Sequence, residues 1–326
     1  MRGVTTLPSF DELPIRRGAP KGAAWGVWGD DDVFGCLNLL TPERVVAAAG
    51  LVRKGAVFAL NLDQHLPDPP LFGRAAPEHT VLGEGAGHDD LLSFNTQSSS
   101  QWDGFRHVGS VHGFYNGIAD EEHGIHHWAR RGIAGRGVLA DVARWRESVG
   151  RPVAPDAPDP IECDDIEATL EAQGTALQEG DVLLLRTGWL SWYRSLDARG
   201  RADTASSLKA PGIRPGVATA KWMWDRHVAA LAADNPAVEV WPLGSLLGDL
   251  DPEQRRAMRN DPDAAPEIFV HTALLPLLGL PLGELWDLDP LADDCAADGT
   301  YEFLFTSAPL NVRGGVASPP NALAIK

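Results

Sequence analysis

The stretch Gln97-Ser98-Ser99-Ser100-Gln101-Trp102-Asp103-Gly104-Phe105-Arg106-His107 decides how the rest of the chain is interpreted. It places a carboxylate and an imidazole four residues apart, after two amides that are also four residues apart. Carboxylate and imidazole side chains are metal ligands and acid/base groups, so a short segment concentrates both kinds of chemistry. A single D-x-x-x-H spacing also occurs in polar surface loops, and the spacing alone does not separate the two interpretations.

The composition limits the class of protein. A chain of 326 residues with 44% hydrophobic residues predicts a globular protein, which we take as one large domain. The formal net charge of −17 argues against nucleic acid or an anionic membrane as a partner. Cys36, Cys163 and Cys295 form no C-x-x-C motif and no disulfide framework, which favours the cytoplasm. No signal peptide and no run of about 18 apolar residues is found, so neither export nor membrane anchoring is expected.

Helical and strand patterns alternate along the chain. The predicted strands are 56–62, 137–142, 180–189, 238–241 and 301–305, and the predicted helices are one from Thr41-Pro42, one from Asp164 or Asp165 to Gly174, and 215–233. The first helix is expected to face inward with Val45, Val46, Ala49 and Val52. This alternation predicts an α/β or mixed α+β fold in a single domain.

A Gly- and His-rich segment follows the opening stretch. Residues 109–135 contain His112, His123, His126 and His127, and four imidazoles could bind a metal ion. Their spacings match no zinc template, which favours a solvated or substrate-lining loop. We therefore assign no ligand role to these four residues.

The opening stretch resembles the H-x-G-T-H-x-D-x-P-x-H signature of the metal-dependent cyclase and kynurenine formamidase family, which also contains isatin hydrolase. Asp103 and His107 match the signature Asp and its last His, and Ser100 replaces the Thr. The departures from the signature are Gln97 and Gln101 at the first two His positions, Ser99 at the Gly and Phe105 at the Pro. The stretch is thus a degenerate copy of the signature.

The resemblance covers residues 56–326. The segments 137–142, 180–189, 211–213 and 271–284 occur in the order found in the family, and residues 25–41 resemble a longer subgroup of it. This implies a cyclase-like single domain with a layered β/β/α arrangement at 56–326, after an N-terminal arm and helix at 1–55. It also implies a homodimer or larger assembly, which the 11 Trp residues favour because Trp is enriched at interfaces.

The resemblance further implies a metal centre. Asp103, His271 and Glu284 become ligands of a divalent ion, Mn²⁺ or Zn²⁺, and His107 becomes the acid/base group. Gln97 and Gln101 are candidates for additional ligands or for groups that orient the substrate or a water molecule. The residues expected to line the substrate site are Trp102, Phe105 and Ser100. Without the resemblance, His271 on its apolar stretch would more often be a core histidine, and Glu284 a solvated turn residue.

Three functions remain open on the sequence. The first is hydrolysis of a C–N bond, in an amide, formamide or lactam, of a small aromatic substrate by a metal-activated water. The second is metal-dependent cyclisation or dehydration of a polyketide-like substrate at the same site. The third is a non-catalytic binding protein, against which the survival of Asp103, His107, His271 and Glu284 argues. One metal ion per chain is expected, because amide oxygens make no tight zinc site.

Overall fold

The computed structural model describes residues 7–326. The strands are β1 (Val57–Ala59), β2 (Glu78–Leu82), β3 (Asp89–Ser93), β4 (Gln101–Asp103), β5 (Ile133–Asp141), β6 (Pro160–Ile161), β7 (Val182–Arg186), β8 (Gly212–Ile213), β9 (Ala230–Ala233), β10 (Leu282–Glu284), β11 (Glu302–Ser307), β12 (Ala317–Ser318) and β13 (Ala322–Ile325). The α-helices are α1 (Pro42–Ala49), α2 (His126–Arg131), α3 (Val142–Ser148), α4 (Cys163–Ala172), α5 (Trp189–Ser195), α6 (Ala198–Ser206), α7 (Val217–Asp225), α8 (Pro252–Asn260), α9 (His271–Ala273) and α10 (Asp289–Asp298).

Within residues 7–326, nine strands form one mixed sheet in the order β1-β13-β11-β5-β7-β9-β10-β4-β12. The four central strands, β5, β7, β9 and β10, are parallel, and antiparallel strands flank them on both sides. The apolar run 182–185 is buried completely, as expected for a parallel strand that is covered on both faces. The expected mixed α+β single domain is confirmed.

Strand β4 carries the centre of the opening stretch and lies between β10 and β12. Its antiparallel register with β10 sets Asp103 opposite Leu282 and Gln101 opposite Glu284, while Ala317 of β12 faces Asp103 from the other side. Because side chains alternate along a strand, Gln101 and Asp103 share one face of the sheet. Trp102 points to the other face.

The segment 215–241 differs from its predicted structure. The predicted helix 215–233 ends at Asp225, and its last four residues form β9 in the centre of the sheet. Apolar periodicity alone cannot distinguish a buried parallel strand from a buried helix. The predicted strand 238–241 is also wrong, since Val238 has a φ of 57° and the segment makes only isolated bridges to its neighbours.

Helix α1 forms where it was predicted, with Thr41 as its N-cap, but a different face is buried. Ala48 is buried, whereas Val46 is 74% exposed. The helix packs on β5 and β11 through its small residues, so the larger valines are not all needed in the core.

The N-terminal arm packs into the same hydrophobic core as the sheet. Trp25 Nε1 donates to the carbonyl of Pro276 at 2.7 Å, and the Cys36 amide donates to the carbonyl of Gly279 at 2.7 Å. Gly35 allows this approach, because a Cβ atom there would lie 2.0 Å from the Gly279 oxygen. The division of the chain at residue 55 stays a prediction.

Strands β2 and β3 form a separate two-stranded hairpin, which lies between Arg74 and Gln97 in the chain. Every residue of both strands is exposed, including Val81, Leu82, Leu91 and Leu92. No helix in residues 7–326 combines the length and apolar character needed to cross a bilayer.

Candidate metal centre

Three side chains that are distant in sequence converge at one end of the sheet. Asp103 comes from β4, Glu284 from β10, and His271 is the first residue of α9. Their candidate ligand atoms all lie within 4.8 Å of one another. His271 Nε2 is 3.7 Å from Asp103 Oδ2 and 3.3 Å from Glu284 Oε1, and all three residues are buried. The structure therefore brings together the three predicted ligands.

The two glutamines of the opening stretch bind the carboxylates of this group. Gln101 Nε2 donates a short hydrogen bond to Glu284 Oε2, as their cross-strand pairing allows. Gln97 Nε2 donates to Asp103 Oδ1 at 2.7 Å and lies 3.0 Å from His107 Nδ1. The side-chain nitrogens of Gln97 and Gln101 thus each bind one carboxylate, that of Asp103 and that of Glu284.

The donor set fits a divalent ion. Asp103 Oδ2 and Gln101 Oε1 are buried oxygens without a hydrogen-bond partner among the described residues. A buried acceptor that is left unpaired costs about 1–3 kcal/mol, so both atoms are suited to bind a group that the side chains do not supply. Two carboxylates, one imidazole and one amide oxygen make up a set that divalent ions such as Mn²⁺ and Zn²⁺ accept.

The electrostatics of the group favour an added positive charge. Burial and the nearby charge of Asp103 raise the pKa of Glu284 to about 7. Burial also opposes ionisation of Asp103, but the charges of His107 and His271 and a hydrogen bond from Gln97 hold its pKa below the usual value. Burial opposes a charge on His271 as well, yet Glu239 and the two carboxylates raise its pKa well above the usual value. Three buried carboxyl groups, those of Asp103, Glu239 and Glu284, therefore surround the imidazole of His271.

His107 lies beside this group without belonging to it. Its Nε2 is 3.9 Å from Asp103 Oδ1, its ring centroid is 6.4 Å from that of His271, and its side chain is 25% exposed. Burial lowers the pKa of His107, the Asp103 charge opposes this, and the charges of His271 and Arg74 lower the pKa further. The imidazole can therefore accept a proton and is reachable from outside.

The three residues expected to line the substrate site, Trp102, Phe105 and Ser100, all contact other parts of the protein. Trp102 is fully buried on the opposite face of β4, where its Nε1 donates to Ser307 Oγ at 2.9 Å, because strand alternation directs it away from Asp103. Phe105 is buried against Trp128, at a centroid distance of 5.0 Å. Ser100 Oγ accepts from the Leu62 amide and donates to the Leu285 carbonyl, so its hydroxyl braces the backbone. Trp102 and Phe105 are thus packed in the core and the Ser100 hydroxyl binds the backbone, while the assignment of these residues to the substrate site stays a prediction.

The four histidines of residues 109–135 have other partners. His112 Nε2 is 2.6 Å from Asp263, and His123 Nε2 is 2.7 Å from the Tyr115 carbonyl. The rings of His126 and His127 lie next to each other, with centroids 4.1 Å apart. None of these contacts joins them to the group of Asp103.

Two residues at the site were missed in the sequence. Glu239 Oε2 lies 2.7 Å from His271 Nδ1, and Arg74 Nη1 donates to the Gln97 carbonyl at 2.5 Å. A lone acid inside the apolar run 238–241 was the available signal for Glu239, since an acid between apolar residues is buried only with a partner. Arg74 carries no such signal in the sequence.

A family model described as "Putative cyclase" matches residues 36–240, which is well over half of the chain. The chain belongs to this cyclase family. A crystal structure described as that of a novel cyclase is 34% identical, covers 93% of this chain and 99% of its own, and has a TM-score of 0.77. The resemblance seen in the opening stretch is thereby confirmed at the level of the family. A search of curated proteins finds no match.

More distant members of the fold include isatin hydrolases. Isatin hydrolase A from Labrenzia aggregata, bound to benzyl benzoate, is 16% identical over 86% of this chain and 97% of its own, with a TM-score of 0.55. An isatin hydrolase bound to the product analogue thioisatinate is 15% identical over 87% of this chain and 98% of its own, with a TM-score of 0.54. At such identities the likeness shows a shared fold.

Proposed function

We propose that this cyclase-family protein is a metal-dependent hydrolase of a C–N bond in a small aromatic amide, formamide or lactam. The observation that carries the proposal is the buried group of Asp103, His271 and Glu284 with His107 at its edge. The chain shares its fold with isatin hydrolases, which is consistent with hydrolysis.

The residues divide into those that hold the ion and one that moves a proton. Asp103, His271 and Glu284 would hold a divalent ion, with Gln101 Oε1 as a fourth donor. When bound, the ion supplies Lewis-acid polarisation of a carbonyl and a more acidic water. His107 stays outside the ligand set, so its imidazole can take up a proton during attack and return it to the leaving nitrogen.

An aromatic rim beside the centre supports an aromatic substrate. Phe72 and Trp241 pack edge to face, with centroids 5.0 Å apart. The Arg74 guanidinium, which donates to the Gln97 carbonyl, lies 4.9 Å from the Phe72 ring centroid, and Trp241 stands two residues after Glu239, which contacts His271. Phe72 is 37% exposed, so the rim offers a ring surface on which a flat substrate could pack.

The proposed site holds one ion per chain, with Mn²⁺ preferred more than in relatives that carry the full signature. The neutral amides of Gln97 and Gln101 supply neither the charge nor the nitrogen donors of a second tight zinc site. Zn²⁺ has the higher intrinsic affinity, so metal availability also decides which ion is bound.

Elemental analysis of protein purified without chelator is expected to find close to one transition metal per chain, and Gln101→His is expected to raise zinc retention. Two tightly held zinc ions in the unmodified protein would contradict this site.

The reaction is tested with matched substrates. Protein loaded with Mn²⁺ or Zn²⁺ is expected to hydrolyse formanilide or isatin, and chelator treatment is expected to remove the activity. Turnover of poly-β-keto compounds in place of amides would replace the proposal with the cyclase or dehydratase. Stoichiometric metal binding without turnover of either substrate class would indicate a binding protein.

A further inference from the structure

Glu239 is a buried carboxylate to which the proposed reaction assigns no step. It is completely inaccessible to solvent, and its Oε2 lies 2.7 Å from His271 Nδ1. The opposite ring nitrogen, Nε2, faces Asp103 Oδ2 and Glu284 Oε1. Among the described residues, His271 is the only ion-pair partner of Glu239. A buried acid without an Arg or Lys partner calls for a reason specific to its place.

The backbone that presents Glu239 is strained. Val238, the residue before it, has a φ of 57°, in the left-handed region that a β-branched residue rarely adopts. Such a conformation is unfavourable for a residue with a branched Cβ and persists only where the surroundings enforce it. The strain thus lies directly next to the carboxylate that reaches His271.

Neighbouring residues enforce this turn. Asn235 Nδ2 donates to the carbonyls of Val238 at 3.1 Å and Pro211 at 2.6 Å, and the Ile213 amide also donates to the Val238 carbonyl, at 3.0 Å. Gly212 lies so close that a Cβ atom there would be 2.3 Å from the Glu239 carbonyl carbon. The turn is therefore held from two sides, by β8 and by the Asn235 side chain.

We propose that Glu239 is the positioning residue of the metal centre. It accepts the Nδ1 hydrogen of His271, which fixes the ring orientation and the tautomer whose Nε2 lone pair points to Asp103 and Glu284. A carboxylate behind a ligating imidazole also makes the imidazole a stronger donor. This inference rests on the proposed metal site. It adds that the strained turn at Val238 places Glu239 where it keeps the His271 ring in the orientation needed to bind the ion.

The test measures metal affinity, independently of turnover. Glu239→Gln keeps the size of the side chain and removes its charge, and we expect it to bind Mn²⁺ and Zn²⁺ about 10–100-fold more weakly than the unmodified protein. Titration calorimetry of chelator-treated protein gives the affinities. Glu171→Gln, on the exposed surface of α4, is the matched control and is expected to bind both ions unchanged.

A spectroscopic signature separates positioning from a general structural role. In ¹⁵N-histidine-labelled, Zn²⁺-loaded protein, His271 is expected to show a hydrogen-bonded Nδ1 proton, identified by its loss in His271→Ala. In Glu239→Gln this resonance is expected to shift upfield, because an amide oxygen is a weaker acceptor than a carboxylate. An unshifted resonance together with unchanged affinity would overturn the proposal.

The outcomes distinguish this inference from the proposed function. Absence of metal binding by the unmodified protein would remove the proposed function itself. Tight binding by both the unmodified protein and Glu239→Gln would remove only the role of Glu239. If Glu239→Gln does not fold, Glu239→Asp replaces it, because its carboxylate is one methylene too short to reach Nδ1 in the same geometry. Unchanged affinity in Glu239→Asp would equally overturn the role.

Discussion

At the scale of single residues, Asp103 and His107 are expected to have separable roles although they stand four positions apart. His107→Ala should lower kcat by about 10²–10⁴-fold, the typical contribution of a general acid/base group, while metal content stays close to that of the unmodified protein. Asp103→Ala removes a buried carboxylate that we propose as a ligand, and it should lose metal as well as activity. Elemental analysis beside steady-state kinetics makes the comparison. Equal metal loss in the two variants would refute this division of roles.

Arg74 is expected to set the pH range in which His107 works. Burial is the main cause of the lowered pKa of His107, and the Arg74 charge adds to it. Replacing Arg74 with Gln removes a cation, which favours the protonated imidazole and raises its pKa. The acid limb of the pH profile of kcat/KM, which requires neutral His107, should then move to higher pH. Arg74→Lys keeps the charge and should leave the limb in place, whereas the same limb in all three proteins would exclude this effect.

At the scale of elements, the alternation of β4 separates the site from the core. Trp102 is fully buried, so Trp102→Ala should lower the free energy of unfolding by about 3–5 kcal/mol, as urea denaturation would show. Metal content of the folded fraction should not change, because Asp103 and Gln101 lie on the other face. Trp241→Ala, at the half-buried rim, is the contrasting variant. It should raise KM for an aromatic substrate and cost less stability. A stability loss below about 1 kcal/mol for Trp102→Ala would show that Trp102 is not a core residue.

The elements also show how far the sequence could be interpreted. Strand β7 and helix α4 follow from local signals, namely an apolar run between turn residues and an acidic N-terminus. Strand β9 could not be recognised from the sequence, since Ala230–Ala233 continues the helical spacing of apolar residues that begins in α7. Its assignment depends on parallel pairing with β7 and β10, which are distant in sequence, and no local pattern reports such pairing.

The candidate site shows the same limit. Asp103, His271 and Glu284 were predictable from the family signature and from the order of later segments, and the structure places them together. The burial of Trp102 was not predictable, because a short motif does not reveal which of its positions lie in a strand. Once β4 is known, Trp102 must point away from Asp103. Glu239 reaches His271 through a left-handed turn at Val238, a conformation that the sequence gives no reason to expect.

At the scale of the whole molecule, the predicted homo-oligomer can be measured directly. Light scattering at micromolar concentration should give at least twice the 35.0 kDa of one chain. The hairpin of β2 and β3 is the surface that we expect the second copy to cover, because an isolated two-stranded hairpin is marginally stable in water. Leu91 and Leu92 are 60% and 55% exposed there, so replacing both with Glu should lower the measured mass. Val149→Glu, at a 49% exposed position, is the control, and a 35.0 kDa particle for the unmodified protein would disprove the assembly.

The position of β4 between β10 and β12 determines when the centre can form during synthesis. Gln101 and Glu284 are 183 residues apart in the chain, and Asp103 gains its other strand neighbour only at Ala317. Contacts between such distant segments form slowly, because a long loop must close first. A ribosome that has made the parallel strands β5, β7 and β9 has therefore still made no complete centre. Asp103 stays without either flanking strand until most of the protein exists, so premature release of the chain before residue 282 leaves a sheet without the complete proposed ligand group.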